Sequence, residues 1–330
     1  MEYYKDKTIL VTGAAGYLGT SLLHALAGQS CKILGVDRAG AQWTLPAHSK
    51  AAIETFERDI KDPDFWDEWI PKAEIIYHFA AQTSVYVANE DPVADYAINV
   101  LPVVHYVQSS TQLKKKVPFL FSSTATVVGV TDSFPIDETH HEDPVTVYDL
   151  HKLTAEKYLK YDQKTRGGKG VVLRLANVYG PGVRGSQLDR GITNLMVQRA
   201  LRGEEMTVYG EGGYVRDYVY IDDIIQAFLL AGQYHQRLHG GHFLIGRGEG
   251  FTFLEMMELI KVLVERDTHR DVSIKQVAPP EHLSPIEFRH FVADHRLFMF
   301  KTAWEPAVSL EDGLKRTIHY YANLANGTNK

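Results

Sequence analysis

Residues 11–19 read VTGAAGYLG, and they place Gly13, Gly16 and Gly19 where an apolar run passes into a helical pattern. Such a turn brings backbone N–H groups close to a pyrophosphate and directs a helix N-terminus at its charge. The spacing G-x-x-G-x-x-G is one residue longer in its first gap than the usual dinucleotide fingerprint. A purely structural turn fits the three glycines equally well, so a second feature has to decide.

That feature is a carboxylate about 20 residues further on, since Asp37 ends the second apolar run. At this place a carboxylate can accept both hydroxyls of an adenosine ribose, and it repels a 2′-phosphate. We therefore expect NAD in preference to NADP, although Arg38 beside it favours the opposite choice. Asp59 and Ile60, after the third run, stand where an adenine ring is commonly held; a plain turn is the alternative for Asp59.

Short apolar runs alternate with helical patterns through the first half of the chain. Strands are predicted at KTILVTG (7–13), CKILGVD (31–37), AAIETFERD (51–59), AEIIYHFAA (73–81), VPFLFSS (117–123) and VVLRLANVYG (171–180). The runs are apolar on both faces, as buried parallel strands are. Strands and helices alternating at this spacing predict right-handed βαβ crossovers, and hence an α/β fold with a Rossmann-type doubly wound parallel sheet.

The pattern changes after about residue 182, where PGVRGSQLDRG (181–191) and VYGEGGYVRDY (208–218) predict loops. HFLIG (242–246) and helical patterns at 251–265 and 310–325 follow. We expect residues 1–182 to form the NAD-binding domain, with parts of 217–246 returning to it. Residues 183–216 and 247–330 are expected to form a smaller C-terminal substrate-binding lobe.

The bulk composition excludes several classes of protein. The 330 residues are 45% hydrophobic and 23% charged, and the formal net charge of −6 gives no reason to expect a nucleic-acid surface. Cys31 is the only cysteine, so no intramolecular disulfide can form, which suits a reducing compartment. No run of about 18 apolar residues predicts a membrane span. His235, His239 and His242 lack supporting carboxylates or cysteines, so no metal site is predicted. We expect a soluble, cytoplasmic protein.

Tyr148 and Lys152 lie four residues apart in YDLHK (148–152), at the start of a predicted helix. This spacing puts a phenol and an ammonium on one helical face, although most such pairs are surface packing. In a dinucleotide-binding fold the ammonium and a positively charged nicotinamide ring both favour the phenolate. The pKa of the phenol can then fall from about 10 towards neutrality, where the group serves as a general acid and base.

Eight features occur in the order that one group of enzymes shows. They are GAAGYLG (13–19), Asp37, HFAAQTSV (78–85), Asn99, SSTATVVG (122–129), YDLHK (148–152), RLANVYGPG (174–182) and RDYVYIDDI (216–224). Over nearly its whole length the chain resembles the extended short-chain dehydrogenases/reductases, specifically their NAD-dependent nucleotide-sugar epimerase/dehydratase branch. The resemblance implies bound NAD and a nucleotide-diphosphate sugar as substrate. It also implies a homodimer that pairs through the Tyr/Lys helix and the helix before it.

Roles carried over by position follow from this resemblance. The catalytic triad falls on Thr124, Tyr148 and Lys152. The cofactor-binding positions are Gly13, Gly16, Tyr17, Leu18, Gly19, Asp37, Arg38, Asp59, Ile60, Phe79, Ala80, Ala81, Asn99, Ser122, Tyr148 and Lys152. The substrate-binding positions are Ser84, Thr124, Tyr148, Asn177, Val208, Tyr209, Arg216 and Arg289. Arg216 matches an arginine that pairs with the diphosphate, for which a structural salt bridge with Asp217 or Asp222 is the alternative; Arg289 is the nearest substitute for a C-terminal arginine without a clear equivalent.

The residues after Thr124 distinguish the reactions of the family. Sugar 4,6-dehydratases carry an Asp-Glu pair there because eliminating water needs a further acid and base, whereas this chain has Ala125 and Thr126. Ala-Thr is the pattern of UDP-galactose 4-epimerase-like enzymes, so the resemblance implies C4 inversion of an NDP-hexose through a transient 4-keto intermediate. An NDP-4-ketohexose reductase using NAD(P)H is the alternative. A non-catalytic dinucleotide-sensing protein fits less well, since such proteins typically lose the Tyr or the Lys.

Overall fold

Strands and helices alternate along the part of the chain that the computed structural model describes, which is residues 2–131, 133–182, 191–281 and 283–325. The strands are β1 (Thr8–Thr12), β2 (Lys32–Asp37), β3 (Ala52–Glu57), β4 (Ile75–His78), β5 (Phe119–Thr124), β6 (Gly170–Leu175), β7 (Asn177–Tyr179), β8 (Met206–Tyr209), β9 (Val215–Tyr220), β10 (His242–Ile245), β11 (Gly250–Thr252) and β12 (Ile274–Val277). The helices are α1 (Tyr17–Leu26), α2 (Phe65–Trp69), α3 (Val85–Glu90), α4 (Pro92–Asn99), α5 (Leu101–Gln112), α6 (Val147–Arg166), α7 (Ile192–Arg202), α8 (Ile221–Gln233), α9 (His235–Leu238), α10 (Phe253–Thr268), α11 (Arg296–Thr302) and α12 (Leu310–Ala325). Short 3-10 helices span Glu2–Tyr4, Ala125–Val128 and Pro285–Phe288.

A seven-stranded sheet forms the centre of the protein, in the order β10-β6-β5-β4-β1-β2-β3. Every pair in it is parallel. Helices α1 and α8 pack together beside one face, and α2, α5 and α6 form a layer beside the other. This is the predicted Rossmann-type doubly wound sheet, and the carboxyl ends of its strands meet along one edge, where ligands of open α/β sheets bind.

The edge strand β3 differs from the expectation of a strand buried on both faces. Its residues are exposed or partly exposed, because it lies at the margin of the sheet, with β2 as its partner. By contrast β4 is buried at each of its four positions, since β1 and β5 flank it. The sequence pattern therefore predicted the strand correctly, but it did not predict that the strand lies at the edge of the sheet.

The predicted sixth strand, 171–180, divides in two. β6 ends at Leu175 in the main sheet, and β7 begins at Asn177 and pairs with β9 in a separate sheet of order β11-β9-β7. The stretch 208–218, predicted as loop, contains the end of β8 and the start of β9. Pairing with β12 and β11 explains both strands, since these partners lie far along the chain.

Within the described residues, the C-terminal part shares its hydrophobic core with the main sheet and its helices. One cluster of buried side chains runs from Leu22 on α1 through Phe228 on α8 to Met256 on α10 and Leu314 on α12. β10 lies beside β6 in the main sheet, so the chain returns there before continuing to α10. On the basis of the two small sheets we propose the two-part division predicted above. Residues 1, 132, 183–190, 282 and 326–330 of that division lie outside the described residues.

Candidate active site

The glycine turn after β1 is as tight as a close backbone approach requires. Gly13 has a φ of +69°, and a Cβ atom there would lie 2.5 Å from the backbone nitrogen of Ala80. A Cβ atom at Gly19 would lie 2.2 Å from the carbonyl oxygen of Gly13. The N–H of Gly16 donates to that same carbonyl at 3.0 Å. A side chain at Gly13 would therefore force the turn away from the residues after β4, and one at Gly19 would clash within the turn itself.

We expect Gly13→Ala to lower both stability and dinucleotide content. The left-handed φ costs an alanine about 1–2 kcal/mol, and the contact with Ala80 adds to that cost. Gly28→Ala is the matched control, because a Cβ atom at Gly28 would have no neighbour within 4 Å. Urea denaturation and the NAD released from purified protein measure the two effects. Equal losses in both variants would contradict this explanation of the turn.

Asp37 at the end of β2 binds the glycine turn directly. Its Oδ2 accepts the N–H of Ala15 at 2.9 Å, and its Oδ1 accepts the N–H of Arg38 at 2.8 Å. Each carboxylate oxygen keeps a further lone pair. The side chain of Arg38 is exposed. The carboxylate thus lies beside the turn, where the ribose role predicted for it requires it.

Four other predicted cofactor residues lie at the start of α1 or in the segment after β3. Asp59 is exposed, and its Oδ1 accepts the backbone N–H of Lys61 at 2.9 Å. This contact is the plain turn that was the alternative to an adenine-binding role for Asp59. Ile60 is buried. Tyr17 donates its hydroxyl to the carbonyl oxygen of Gly180 at 3.0 Å, and Leu18 is half-buried. The cofactor roles of these four residues stay predictions.

The ends of β4 and β5 form the next part of the same edge. Residues 79–81 follow β4 beside the glycine turn, and the hydroxyl of Ser122 donates to the carbonyl oxygen of His78 at 3.3 Å. His78 itself is buried, with Nδ1 2.8 Å from the hydroxyl oxygen of Thr12. Burial and the nearby Lys152 lower the pKa of His78 to about 3, so its imidazole is neutral and structural.

Helix α6 carries the predicted Tyr/Lys pair. The helix begins after Thr146, whose hydroxyl caps it by accepting the N–H of Asp149 at 3.1 Å. It ends at Gly167, which adopts the left-handed conformation. Tyr148 is half-buried in the first turn, and Lys152 is buried one turn later on the same face. The cap therefore fixes where the helix begins, and with it the positions of the Tyr148 phenol and the Lys152 ammonium.

Lys152 is a buried amine in a mixed environment. Its side chain is 2% exposed, and Nζ lies 4.0 Å from the ring centroid of Phe121 on β5. Burial lowers the pKa of Lys152 to about 7, while the carboxylates of Glu156 and Asp95 oppose that shift. Without cofactor or substrate, this amine therefore titrates near neutral pH.

The lowered pKa of Lys152 predicts how stability depends on pH. Between pH 7 and the ordinary pKa of 10.5, the unfolded chain binds a proton that the folded protein does not, so the free energy of unfolding rises with pH. Lys152→Met removes this contribution. In urea denaturation of the cofactor-free proteins, the free energy of unfolding of the variant should exceed that of the wild type most below pH 7. This difference should shrink as pH rises. A difference that is constant over this range would contradict the burial argument.

Asn99 belongs to a buried polar cluster that also includes Asp95. The Asn99 amide donates to the carbonyl oxygen of Gln82 and to Asp95 Oδ1, both at 2.9 Å. Asp95 Oδ2 lies 2.7 Å from Nδ1 of His151. Among the described residues, the buried Oδ1 of Asn99 has no hydrogen-bond partner. Sequence reasoning named Asn99 but missed Asp95, which joins α4 to the Tyr/Lys helix.

Thr124 ends β5 and enters a short chain of hydroxyls. Its Oγ1 lies 2.6 Å from Oγ1 of Thr126, and it accepts the N–H of Thr126 at 3.2 Å. Thr126 donates to Oδ1 of Asp149, and the Thr146 hydroxyl donates to Oδ2 at 2.7 Å. The predicted catalytic hydroxyl is thus connected to a buried carboxylate beside Tyr148, a connection that sequence reasoning did not predict.

Two buried guanidinium groups lie together on the C-terminal side of the site. Arg216 on β9 donates to the carbonyl oxygen of Glu287 at 2.6 Å, and Arg289 donates to Oδ1 of Asn177 at 3.4 Å. Burial and the charge of Arg289 lower the pKa of Arg216 to about 9, and burial also lowers the pKa of Arg289. Nε of Arg289 and the hydroxyl of Tyr218 are buried without partners among the described residues. The charges of Glu287 and Asp149 act on Arg289, and that of Glu287 acts on Arg216, but neither arginine forms a salt bridge within the described residues. Two like charges buried without such a bridge are stabilised when an anion binds.

The salt bridges considered as an alternative for Arg216 do not form. The carboxylate of Asp217 is buried and accepts three backbone N–H groups instead, at 2.7–3.0 Å, from Arg247, Gly248 and Ala293. Asp222 lies 4.0 Å from Arg316. Asp217 therefore fixes loops around the site, whereas the guanidinium of Arg216 donates to the carbonyl oxygens of Val215 and Glu287 and lies over the ring of Tyr214.

The remaining predicted substrate residues lie on two other elements. Val208 and Tyr209 end β8, which pairs with β12; Val208 is buried and Tyr209 is exposed. Ser84 is the N-cap of α3 and accepts the N–H of Val87 at 3.3 Å. The structure describes each predicted site residue, and their roles stay predictions.

The site fits a dinucleotide on three observations: a turn that a side chain would fill, the Asp37 carboxylate beside it, and the unpartnered Asn99 oxygen. Together with the doubly wound sheet, they define an NAD-dependent enzyme. A model of the NAD dependent epimerase/dehydratase family matches residues 9–246. The chain belongs to this family.

Relatives and solved structures support this membership over nearly the full length. A putative UDP-glucose 4-epimerase of Methanocaldococcus jannaschii is 26% identical, covering 96% of this chain and 98% of its own. The crystal structure of UDP-glucose 4-epimerase from Thermotoga maritima with UDP-glucose is 31% identical, with a TM-score of 0.84 over 96% of this chain and 99% of the other. The Thermus thermophilus UDP-glucose 4-epimerase complex with NAD is 26% identical, with a TM-score of 0.81 over 95% and 98%. In the described residues no helix is long and apolar enough to cross a membrane.

Proposed function

We propose that this protein is an NAD-dependent nucleotide-sugar epimerase that inverts C4 of an NDP-hexose through a transient 4-keto intermediate. The observation that carries the proposal is the pair of buried guanidinium groups, Arg216 and Arg289, of which the charge of Arg289 acts on Asp149 beside Tyr148. The names of the relatives, several of which are 4-epimerases, support the same substrate class. Bound NAD would supply reversible hydride transfer at C4 of the sugar.

The chain's own residues supply the proton chemistry. Tyr148 takes the proton of the C4 hydroxyl as a phenolate and gives it back on reduction. Lys152 in its ammonium form favours that phenolate from one helical turn away. Thr124 binds the same substrate oxygen and orients it. Asn99 stays available to hold Lys152 through its unpartnered oxygen.

The two guanidinium groups supply the binding. Arg216 and Arg289 pair with the diphosphate, whose charge relieves their mutual repulsion, and Asn177 and the Tyr218 hydroxyl add hydrogen bonds. Val208 and Tyr209 lie beside the nucleoside. Ser84 borders the sugar. Gly13 to Gly19, Asp37 and the residues after β4 hold the dinucleotide.

The dinucleotide content distinguishes this function from a 4-ketosugar reductase. An epimerase regenerates its cofactor in each cycle and has no need to release it, whereas a reductase must exchange it. We expect denatured, purified protein to release close to one NAD per chain, identified by mass. Protein that is purified empty and then binds NADPH would instead support the reductase.

We also propose a homodimer that pairs through α5 and α6, which pack against each other in the monomer. Leu150 and Tyr161, 49% and 51% exposed, lie on one face of α6 with Tyr158 between them. Light scattering should give twice the chain mass, and Tyr161→Glu should lower it. A monomer mass at every concentration would contradict the dimer.

From the single cysteine, Cys31, which is buried and unpaired, we propose that the protein works in the cytoplasm. Cell fractionation tests this location, and recovery in an extracellular or periplasmic fraction would contradict it.

A further inference from the structure

The hydrogen bonds around Thr124 have a fixed direction. Asp149 is fully buried, and as a carboxylate it only accepts hydrogen bonds. Thr126 must therefore donate to Asp149, and its oxygen is left to accept from Thr124, 2.6 Å away. The proton of the Thr124 hydroxyl points inward, along the chain to Asp149. A lone pair on Thr124 Oγ1 remains to accept a proton from a donor in the site.

Resting on the function proposed above, we propose that Asp149 is a second proton acceptor for the C4 hydroxyl, reached through Thr124 and Thr126. The substrate O–H bond breaks as its proton passes to Thr124 Oγ1. The proton of Thr124 passes to Thr126, and that of Thr126 passes to Oδ1 of Asp149. Both threonines end as hydroxyls, one carboxyl O–H bond forms, and the hydride step is unchanged. On reduction the three protons return by the same path.

The surroundings of Asp149 suit a group that accepts a proton. Burial raises the pKa of this carboxyl, and the charge of Glu287 raises it further. The hydrogen bonds from Thr126 and Thr146 and the charge of Arg289 lower the pKa and offset part of this shift. Asp149 reaches the substrate oxygen through Thr126 and Thr124, so it acts through these hydroxyls as a positioning residue. Tyr148 and this relay would then serve one substrate oxygen in parallel.

A double-mutant cycle separates a parallel route from a structural role. We expect Asp149→Asn to lower the rate of C4 inversion less than about threefold in the wild type, where Tyr148 remains. In the Tyr148→Phe background, Asp149→Asn should lower the residual rate at least tenfold. Equal losses in both backgrounds would overturn the proposal, and so would a Tyr148→Phe protein with no rate above background. A wild type that inverts no nucleotide sugar would instead show that the proposed function has failed, and the relay with it.

A second pair of variants covers the case in which Asp149→Asn does not fold. Thr126→Val in the Tyr148→Phe background should lower the residual rate like Asp149→Asn, and Thr126→Ser should restore it. Thr165→Val is the matched control, because Thr165 is exposed near the other end of α6 and donates its hydroxyl to the carbonyl oxygen of Tyr161, outside the relay. The residual rate of Tyr148→Phe should also rise with pH as Asp149 ionises, and Thr126→Val should flatten that profile. Equal effects of the two valine variants would overturn the relay.

Discussion

Tyr148→Phe is expected to lower the rate of C4 inversion on the order of 10²–10⁴-fold, the usual effect of removing a positioned general acid and base. Phenylalanine fills the same space in the first turn of α6, so the helix, its Thr146 cap and Lys152 stay in place. The loss should therefore appear in kcat, with KM changed little. The initial rate of inversion, followed by NMR at saturating substrate, measures it.

The control for this prediction is Tyr158→Phe on the same helix. Tyr158 is 36% exposed, so the same loss of a hydroxyl there should leave the rate unchanged. Both variants should carry as much NAD as the wild type. A Tyr148→Phe protein that keeps more than about a tenth of the wild-type rate would contradict the role of the phenol.

Arg216→Ala is expected to raise KM for the nucleotide sugar on the order of 10²–10³-fold. Truncating one partner of a buried, charge-assisted contact costs about 2–5 kcal/mol, and about 1.4 kcal/mol corresponds to tenfold. Arg216→Lys should recover part of this loss, since lysine keeps the charge but not the guanidinium fork. Titration calorimetry with UDP, which carries the diphosphate without a sugar, should show a parallel fall in affinity.

Arg237→Ala is the matched control, because Arg237 is exposed on α9 and its guanidinium stacks on Tyr234. Its affinity for UDP should equal that of the wild type. An unchanged affinity in Arg216→Ala, in a protein that denatures at the wild-type temperature, would remove Arg216 from the diphosphate site and leave Arg289 to act alone.

Local sequence patterns predicted the main sheet well because parallel strands are short, apolar and separated by helices. The glycine turn and Asp37 needed no long-range information, since one turn and the end of the next strand place them. The patterns did not predict that β3 lies at the edge or that β7 leaves the sheet after Leu175. Those features depend on which strand pairs with which, and β9 reaches β7 from about 40 residues further along the chain.

The site shows the same limit. Tyr148 and Lys152 are visible in the sequence because one helical turn relates them. Asp149 reads as an ordinary acid in the first turn of a helix, and its contact with Thr126 exists only because β5 ends beside α6. The proximity of Arg216 to Arg289 likewise joins residues that several helices and strands separate in the sequence. Only the tertiary fold brings these groups together.

The most direct test of the account is to incubate the purified protein with UDP-, dTDP-, CDP- and GDP-hexoses, without added dinucleotide, and to follow C4 by NMR. We predict that at least one of them converts to a mixture of both C4 epimers without net formation of NADH. No inversion of any of them, together with stoichiometric oxidation of added NADPH by a 4-ketosugar, would contradict the epimerase and support the reductase.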